Sequence, residues 1–376
     1  MIRFSRNDFS VNIAGKTISL LPKEFALLQF LWENRNRSFS REQLLDAVWG
    51  LENPGERTVD DHIYRIRGKL KDFSHVVKID TVRGLGYRLA FRETAAKSPL
   101  QGDSELNERY AELFTKYWRY GHGSALGILA ENRDVLGITL DPERKLFLSF
   151  ITGEFQKVVR TTEVPFFGKA FYLLHIFRII QFDAAKTLNL FERALAQGHR
   201  FPQHHRDELE FNIINVYCEA GEIEKAERRL QLVEQEIGGD PDHGYTLFLY
   251  AYKIMLNWLK GDFQVVEQCL AEAEELLVTR PYLRERGILK VAGGLWLLRH
   301  GRQGEKVISE GLDLLKKSQF VPHYLLGVYL VLFFLHGYIE DASTLQKYTD
   351  LWSQLDRVYN FEGLSAEIYH FLTSRL

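Results

Sequence analysis

The segment at residues 56–72, ERTVDDHIYRIRGKLKD, sets cationic side chains around a narrow apolar stripe. Wound as a helix at about 100° per residue, it carries four apolar residues on one side: Val59, Ile63, Ile66 and Leu70. The opposite side carries Arg57, Asp61, Tyr64, Arg65 and Gly68, and the flanks carry His62, Arg67, Lys69 and Lys71. This pattern fits an ordinary amphipathic surface helix. It also fits a helix that offers hydrogen-bond donors to an anionic groove, so the surrounding sequence must decide between the two.

The other groups of chemically active residues predict neither catalysis nor metal binding. The segment GHRFPQHHRDE holds His199, His204 and His205, but a metal site would need another ligand, so a solvated loop is expected there. GRQGEK, at residues 301–306, lacks the spacing of a phosphate-binding loop. Cys218 and Cys269 fit small buried residues in a reducing cytosol. We therefore expect no catalytic residue, no metal and no cofactor.

Composition and charge place any nucleic-acid contact in the first quarter of the chain. The 376 residues, 45% hydrophobic and 26% charged, are typical of a soluble globular protein with two or three domains. Residues 1–92 hold 16 Lys and Arg against 11 Asp and Glu, a balance of +5, and the remainder holds 32 against 39, a balance of -7. The longest apolar run, YLLGVYLVLFFLHGYI, has 16 residues, short of the roughly 20 that span a bilayer. A cytoplasmic location without a membrane anchor is expected.

The order of elements in the first 92 residues predicts a winged helix-turn-helix. IRFSRN, FSVNIAG and TISLL have the composition of short strands, and PKEFALLQFLWENRN is an amphipathic helix with Pro22 in its first turn. SFSREQLLDAVWG predicts a second helix, with a capping box formed by Ser40 and Gln43. The basic helix follows, and then VVKIDTVRGLGYRLAF predicts a hairpin with Arg83 near its tip. In such a fold the third helix enters a major groove and the hairpin reaches the neighbouring minor groove or backbone.

Three segments carry a resemblance to a known family: PKEFALLQFLWENRNRSFSREQLLDAVWG, RTVDDHIYRIRGKL and IDTVRGLGYRL. Residues 1–92 resemble the OmpR/PhoB-type winged-helix DNA-binding domain. The resemblance implies double-stranded DNA as the partner, a backbone contact by Trp49, a wing arginine at Arg83, and contact with RNA polymerase through the loop at residues 50–55. It also implies that recognition-helix residues touch bases or phosphates: Arg57, His62, Tyr64, Arg65 and Arg67. Lys69, on the same basic helix, is expected to add a further DNA contact.

The chain departs from the family pattern at several positions. Leu21 stands where the family usually has a capping threonine, and Tyr64 where a basic residue is common. Gly68 stands where lysine is frequent and lowers helix propensity by roughly 1 kcal/mol relative to alanine. Asp61 adds a negative charge that could accept from cytosine N4 or repel phosphate. The family's usual receiver domain is not expected before residue 1, so the chain resembles a one-component regulator.

The rest of the chain predicts an all-α domain of helical repeats at residues 105–376, after a polar linker at residues 93–104. NIINVYCEAGEIEKAERRLQLV resembles the tetratricopeptide (TPR) pattern at five positions: Tyr217, Gly221, Ala226, Leu230 and Val233. The turn recurs at Gly261, Gly301 and Gly337, at spacings of 40, 40 and 36 residues, with an earlier copy at Gly153. About seven helix pairs would fill this region. The fold class expected is an α+β winged-helix head joined to a TPR-like α-solenoid.

The leading hypothesis is a sequence-specific bacterial transcription regulator, acting as a homodimer and controlled by a peptide or protein effector on the solenoid. In the TPR register, Phe211 and Asn215 face the concave side, where an asparagine suits the N–H and C=O groups of an extended peptide. Asn215 could instead cap or bridge neighbouring helices. Two further hypotheses remain open: an interaction scaffold whose solenoid docks a protein, with DNA binding secondary, and an enzyme acting through the solenoid, for which no catalytic group is identified.

Overall fold

The computed structural model describes residues 2–6, 8–13, 16–50, 55, 57–73, 76–82, 85–91, 100–240, 243–280 and 282–376, apart from the side chain of Asp134. The chain divides into two compact units, Met1–Ser98 and Pro99–Leu376. We call them the head and the helical unit. Among the described residues, no helix combines the length and the apolar composition needed to cross a bilayer.

The head contains two small antiparallel sheets. Strands β1 (Ile2–Ser5), β2 (Ser10–Ile13) and β3 (Lys16–Ser19) form the first sheet in that order. Strand β4 (Ser38–Phe39) pairs with β6 (Gly86–Phe91), which pairs in turn with β5 (Val77–Val82). The β5–β6 hairpin and its position after three helices confirm the winged-helix order predicted from the sequence.

Three helices follow the first sheet along the chain, and β4 comes between the first two of them: α1 (Pro22–Glu33), α2 (Arg41–Val48) and α3 (Arg57–Lys69). The capping box that begins α2 is confirmed, since Gln43 N donates to Ser40 Oγ at 3.1 Å and Ser40 N donates to Gln43 Oε1 at 2.9 Å. At the start of α1 the Leu21 side chain supplies no cap, as predicted. Glu24 compensates by accepting from Leu21 N at 2.9 Å, which satisfies one amide at the helix start.

The apolar stripe of α3 is buried against the head's core. Val59, Ile63, Ile66 and Leu70 are all at most 3% exposed, and they join residues of α1, α2 and both sheets in one cluster. Gly86 allows β6 to approach β4 closely, since its φ is +117° and a Cβ there would lie 2.1 Å from the Phe39 carbonyl oxygen. Because the apolar stripe is buried, the opposite face of α3 is left at the surface.

The helical unit contains sixteen helices in its described residues. The first eight are α4 (Ser104–Arg119), α5 (Gly123–Glu131), α6 (Arg133–Leu136), α7 (Pro142–Ile151), α8 (Phe155–Arg160), α9 (Phe166–Ile180), α10 (Ala184–Ala196) and α11 (Gln203–Glu219). The remaining eight are α12 (Ile223–Ile237), α13 (Thr246–Lys260), α14 (Phe263–Thr279), α15 (Leu283–Arg299), α16 (Gly304–Ser318), α17 (Val321–Gly337), α18 (Ala342–Tyr359) and α19 (Phe361–Thr373).

Most of the predicted turn positions are confirmed. Gly153, Gly221, Gly261 and Gly301 each lie between two consecutive helices and have φ values from +66° to +78°, a conformation that glycine adopts without strain. Gly337 differs, because it is the last residue of α17 and the chain leaves the helix at Tyr338. The helical unit is thus built from helix–turn–helix pairs.

Alternate helices of the unit form a ring. Helix α9 packs against α11, α11 against α13, α13 against α15, and α15 against α17. Helix α17 then returns to pack against α7 and α9. We call α7, α9, α11, α13, α15 and α17 the inner helices. Their shared interior is where the sequence predicted a concave surface.

Candidate functional site

The surface face of α3 presents the residues predicted to contact DNA. Arg57, Asp61, Tyr64 and Arg65 are all exposed, and the ring of Tyr64 is 79% exposed. Because the apolar stripe anchors the opposite face, these four side chains project away from the core. Their contact with DNA stays a prediction.

Trp49 and His62 form a contact at the end of α2. The two rings lie 5.1 Å apart, edge to face, and His62 Nδ1 lies 2.7 Å from the carbonyl oxygen of Thr58. Trp49 is only 6% exposed and belongs to the head's core. Trp49 thus packs against His62 of α3, and its contact with the DNA backbone stays a prediction.

Two predicted DNA-contacting cations are held by the head itself. Arg67 donates from Nε to the Ile79 carbonyl at 2.8 Å and from Nη2 to Thr81 Oγ1 at 2.8 Å, which ties α3 to β5. Lys69 donates from Nζ to Glu24 Oε2 at 2.7 Å. Burial opposes ionisation of Glu24, but the Leu21 amide and the Lys69 ammonium outweigh it and lower its pKa. These two cations orient α3 before any DNA is bound.

A polar triad that sequence reasoning missed also fixes the orientation of α3. Asp60 Oδ1 accepts from Arg41 Nε at 2.8 Å and from the Tyr87 hydroxyl at 2.7 Å, which joins α2, α3 and β6. Burial raises the pKa of Asp60, but the hydrogen bonds from Tyr87 and Arg41 outweigh it and the pKa is lowered overall. A carboxylate on the flank of an amphipathic helix carries no sequence signal of such a role.

Two predicted contacts lie outside the described residues. One is the wing arginine, Arg83. The other is most of the loop expected to face RNA polymerase, of which Gly50 and Gly55 are described.

The inner helices line a cavity of about 590 Å³. Its walls are rich in aromatic side chains, which come from α4, from inner helices and from the residues just before α13, α15 and α17: Phe114, Trp118, Phe147, Phe150, Phe171, Tyr172, Phe211, Tyr245, Phe248, Tyr252, Trp258, Tyr282, Phe320 and Phe334. The volume is in the range of cavities that hold small organic ligands, roughly 300–1,000 Å³. We call this space the central cavity.

Six buried polar atoms on the wall of the central cavity have no hydrogen-bond partner among the described residues. They are His205 Nδ1, Asn215 Oδ1, Trp258 Nε1, Arg284 Nε, Glu285 Oε2 and His323 Nδ1. An unmade hydrogen bond of a buried polar group costs about 1–3 kcal/mol. These atoms are available to hydrogen-bond with water or with a ligand in the cavity.

One face of α11 supplies much of this wall. His204, Glu208, Phe211 and Asn215 recur at helical spacing, so they lie along the same side of the helix and line the central cavity. Phe211 and Asn215 were predicted to share a face, and the structure places both on the cavity wall, 3% and 5% exposed. Whether they bind an effector is untested.

The expectation of a solvated loop around the histidine cluster holds for part of it. His199 lies in a short 3-10 turn and is exposed, and His204 is exposed in the first turn of α11. His205, also in α11, is instead buried, with its ring stacked on Phe171 of α9 at 4.4 Å. Among the described residues, no three histidine, cysteine or acidic side chains are arranged to hold a metal ion.

A buried ion pair lies at the edge of the central cavity. Arg178 of α9 donates from Nε to both carboxylate oxygens of Glu219 of α11, at 3.1 and 3.2 Å, and both side chains are at most 3% exposed. Burial opposes ionisation of Arg178, but the Glu219 charge outweighs it and raises the pKa of the guanidinium. The pair links two inner helices by a two-point contact.

Three histidines on the cavity wall are held neutral. Burial lowers the pKa of His175 to about 4 and that of His205 to about 3. Burial also lowers the pKa of His323 well below its ordinary value, and the nearby Arg284 charge lowers it further. All three therefore present neutral rings to the cavity at neutral pH.

Several known proteins are similar to about a quarter of this chain. Residues 15–89 match the family described as "Transcriptional regulatory protein, C terminal". Sensory transduction protein RegX3 of Mycobacterium tuberculosis is 46% identical over 90 residues, which are 23% of this chain and 40% of RegX3. Heme response regulator HssR of Staphylococcus aureus is 38% identical over 89 residues, again 23% of this chain and 40% of the relative. The chain thus spans about two fifths of the length of these relatives.

Among solved structures, the DNA-binding domain of Bacillus subtilis CssR is 34% identical. The match covers 24% of this chain and 99% of that domain, with a TM-score of 0.21. The family match, the identity to RegX3 and HssR, and the order of strands and helices agree on the head. Residues 15–89 are an OmpR/PhoB-type winged-helix DNA-binding domain of a transcription regulator.

Proposed function

We propose that the protein is a cytoplasmic transcription regulator whose head reads a specific DNA sequence and whose helical unit binds the effector that governs it. The observation that carries the first half is the exposed face of α3, with Arg57, Tyr64 and Arg65 turned away from the core of a head that matches regulator DNA-binding domains. The unpartnered polar atoms of the central cavity support the second half.

The proposal treats the helical unit as a TPR-like repeat domain. Positive-φ glycines between paired helices, and inner helices that face one interior, support this assignment. The proposal also includes a homodimer, contact with RNA polymerase through residues 50–55, one-component control and no catalytic step. A peptide or protein segment and a small molecule are both possible effectors of such a unit.

The central cavity favours effector control over the alternative of a docking scaffold. A scaffold needs a long exposed surface along the inner helices, whereas here α17 packs back against α9 and the polar atoms that lack partners line the cavity between these helices. An effector changes DNA binding only if it binds one arrangement of the protein more tightly than another.

The test of the proposed function is selection of genomic DNA fragments by the full-length protein, followed by affinity measurements on the selected sites. We expect enrichment of one shared sequence and binding to it that weakens steeply with salt, because counterions are released from each neutralised phosphate. Equal recovery of all fragments would contradict the proposal. Repeating the measurement with small molecules and peptides extracted from the native host would reveal effector control.

Replacing Arg65 with alanine is expected to relax the sequence preference of the protein. Arg65 is exposed on the outer face of α3, where a bidentate contact to guanine discriminates by about 1–3 kcal/mol. Selection from random duplexes with wild type and Arg65→Ala checks this. Lys71→Ala, which removes an exposed cation just past the end of α3, is the control and should weaken binding without changing the preferred sequence. Identical preferences for wild type and Arg65→Ala would refute base reading by Arg65.

A further inference from the structure

Most charged groups on the wall of the central cavity belong to ion pairs. Four arginines belong to its wall, and three of them have acidic partners: Arg144 with Asp141 at 2.6 Å, Arg178 with Glu219 at 2.5 Å, and Arg284 with Glu285 at 3.2 Å. The fourth, Arg119, is exposed.

The remaining charged group of the wall is Glu208. Among the described residues, no cationic nitrogen lies within 4.0 Å of its carboxylate. Glu208 is only partly covered by protein, and since it lines the central cavity, the surface it exposes faces that space. Glu208 thus lines the central cavity without an ion-pair partner among the described residues, although the Arg284 charge acts on it from a distance.

Glu208 lines the central cavity together with aromatic residues that include Tyr172, Tyr245 and Tyr252. Burial raises the pKa values of these three tyrosines, and the Glu208 charge raises them further. Phe211, one turn along α11, stacks on Tyr245 at 4.5 Å and on Tyr252 at 4.6 Å. Aromatic faces beside a carboxylate are the chemistry that recognises organic cations, since ring faces and carboxylate both attract positive charge.

The other polar atoms of the wall suit the rest of such a ligand. Asn215 Oδ1 and Glu285 Oε2 are acceptors without a donor, and Trp258 Nε1 is a donor without an acceptor. Asn215 lies two turns after Glu208 on the same face of α11, so one ligand can reach both. A purely apolar ligand would leave both acceptors without hydrogen bonds, which is unfavourable for buried polar groups.

We propose that the central cavity binds an organic cation, with an ammonium or related group paired to Glu208 and an aromatic or apolar body between the aromatic walls. Its identification as the effector rests on the proposed function above; the binding itself does not. An anion would instead need the buried Arg284, whose Nε lacks a hydrogen-bond partner among the described residues but whose guanidinium is already paired with Glu285.

The proposal predicts a particular pH dependence. Burial raises the pKa of the Glu208 carboxyl to about 7, so it changes charge near neutrality. The other charged and titratable groups of the wall near it are Arg119, Arg144, Tyr172, His175, Arg178, His204, His205, Tyr245, Tyr252, Arg284, Glu285 and His323, with Asp207 beside it on α11. His175, His205 and His323 stay neutral above pH 6, and the pKa values of Tyr172, Tyr245 and Tyr252 are raised, so these six groups keep their charge state between pH 6 and pH 8.

The experiment compares three probes that share an indole body: tryptamine, a cation; tryptophol, which is neutral; and indole-3-acetate, an anion. Each is titrated into the full-length protein by calorimetry at pH 6 and pH 8. Tryptamine keeps its charge throughout, because an alkyl ammonium has a pKa of roughly 10. We expect tryptamine to bind about tenfold more tightly than either analogue at pH 8, and about tenfold more tightly at pH 8 than at pH 6, as Glu208 ionises.

Matched variants assign the effect to Glu208. Glu208→Gln should abolish both the preference for the cation and the pH dependence, while Asp207→Asn, which alters a neighbouring carboxylate outside the cavity wall, should keep them. Circular dichroism of each variant checks folding. Preference for indole-3-acetate, equal binding of the three probes, binding of none, or an unchanged preference in Glu208→Gln would each overturn the proposal. DNA selection with the same protein is an independent readout, so loss of cation preference with intact sequence-specific DNA binding would overturn this inference alone.

Discussion

Replacing Glu219 with alanine lowers the free energy of unfolding of the helical unit by an expected 3–5 kcal/mol, roughly the cost of leaving one partner of a buried ion pair without the other. Arg178 is 3% exposed, and its guanidinium would then lie in the protein interior with no carboxylate beside it. Urea unfolding followed by helical circular dichroism measures the change.

Two further variants show whether the charge or the packing is responsible. Glu222→Ala removes a carboxylate that is 45% exposed and lies 3.7 Å from Lys225, so it should cost less than about 1 kcal/mol. The double variant Arg178→Met with Glu219→Leu removes both charges and should recover most of the loss. A double variant as unstable as Glu219→Ala would show that the pair acts through its shape and hydrogen bonds rather than through uncompensated charge.

Acidification from pH 6.5 to 4.5 is expected to destabilise the helical unit steeply. His175, His205 and His323 have pKa values lowered in the folded state, so the unfolded chain binds more protons and stability falls as the pH drops below about 6.5. Each contributes a slope of at most about 1.4 kcal/mol per pH unit. Glu208 opposes them with one such slope, because its folded pKa of about 7 lies above the ordinary 4.5. Three histidines against one glutamate leave a net of two groups. The free energy of unfolding should therefore fall by about 2.7 kcal/mol for each pH unit of acidification.

The variant His205→Phe tests this assignment. Phenylalanine keeps the stacking on Phe171 and removes both the titrating group and the unpartnered Nδ1. The variant should be more stable than wild type at neutral pH by about 1–3 kcal/mol. The slope of its unfolding free energy against pH should be smaller by the contribution of one proton. Urea unfolding at half-unit steps between pH 4.5 and 7.5 gives both quantities. A slope unchanged by His205→Phe would contradict a neutral buried His205.

The sequence predicts the head well because its signals are local. Apolar residues at 59, 63, 66 and 70 define one face of α3, and the Ser40–Gln43 capping box defines the start of α2. The triad of Arg41, Asp60 and Tyr87 is not predictable in this way, since its members are up to 46 residues apart and each is an ordinary surface residue type. For the same reason, the sequence predicts DNA contacts for Arg67 and Lys69. In the structure both side chains donate hydrogen bonds to residues of the head that are distant in sequence.

In the helical unit, the sequence predicts the turn glycines but does not predict the central cavity. Gly221 and its counterparts mark turns through their own conformational freedom. The polar face of α11 at His204, Glu208 and Asn215 has helical spacing in the sequence, but a polar stripe ordinarily indicates a solvated face. It becomes a cavity wall only because α17 packs back against α9, a contact that no local pattern encodes.

That return contact also governs how the helical unit can fold. The end of α9 at Ile180 and the start of α17 at Val321 are separated by 141 positions, the difference of the two residue numbers. An open array of repeats gains stability one neighbour at a time, and it can nucleate anywhere and lengthen from there. Here the chain must first lose the entropy of closing a very long loop, and the interior is complete only after the late helices arrive. We therefore expect the helical unit to fold more slowly than an open array of repeats. Its early and late helices should become stable together rather than one after another.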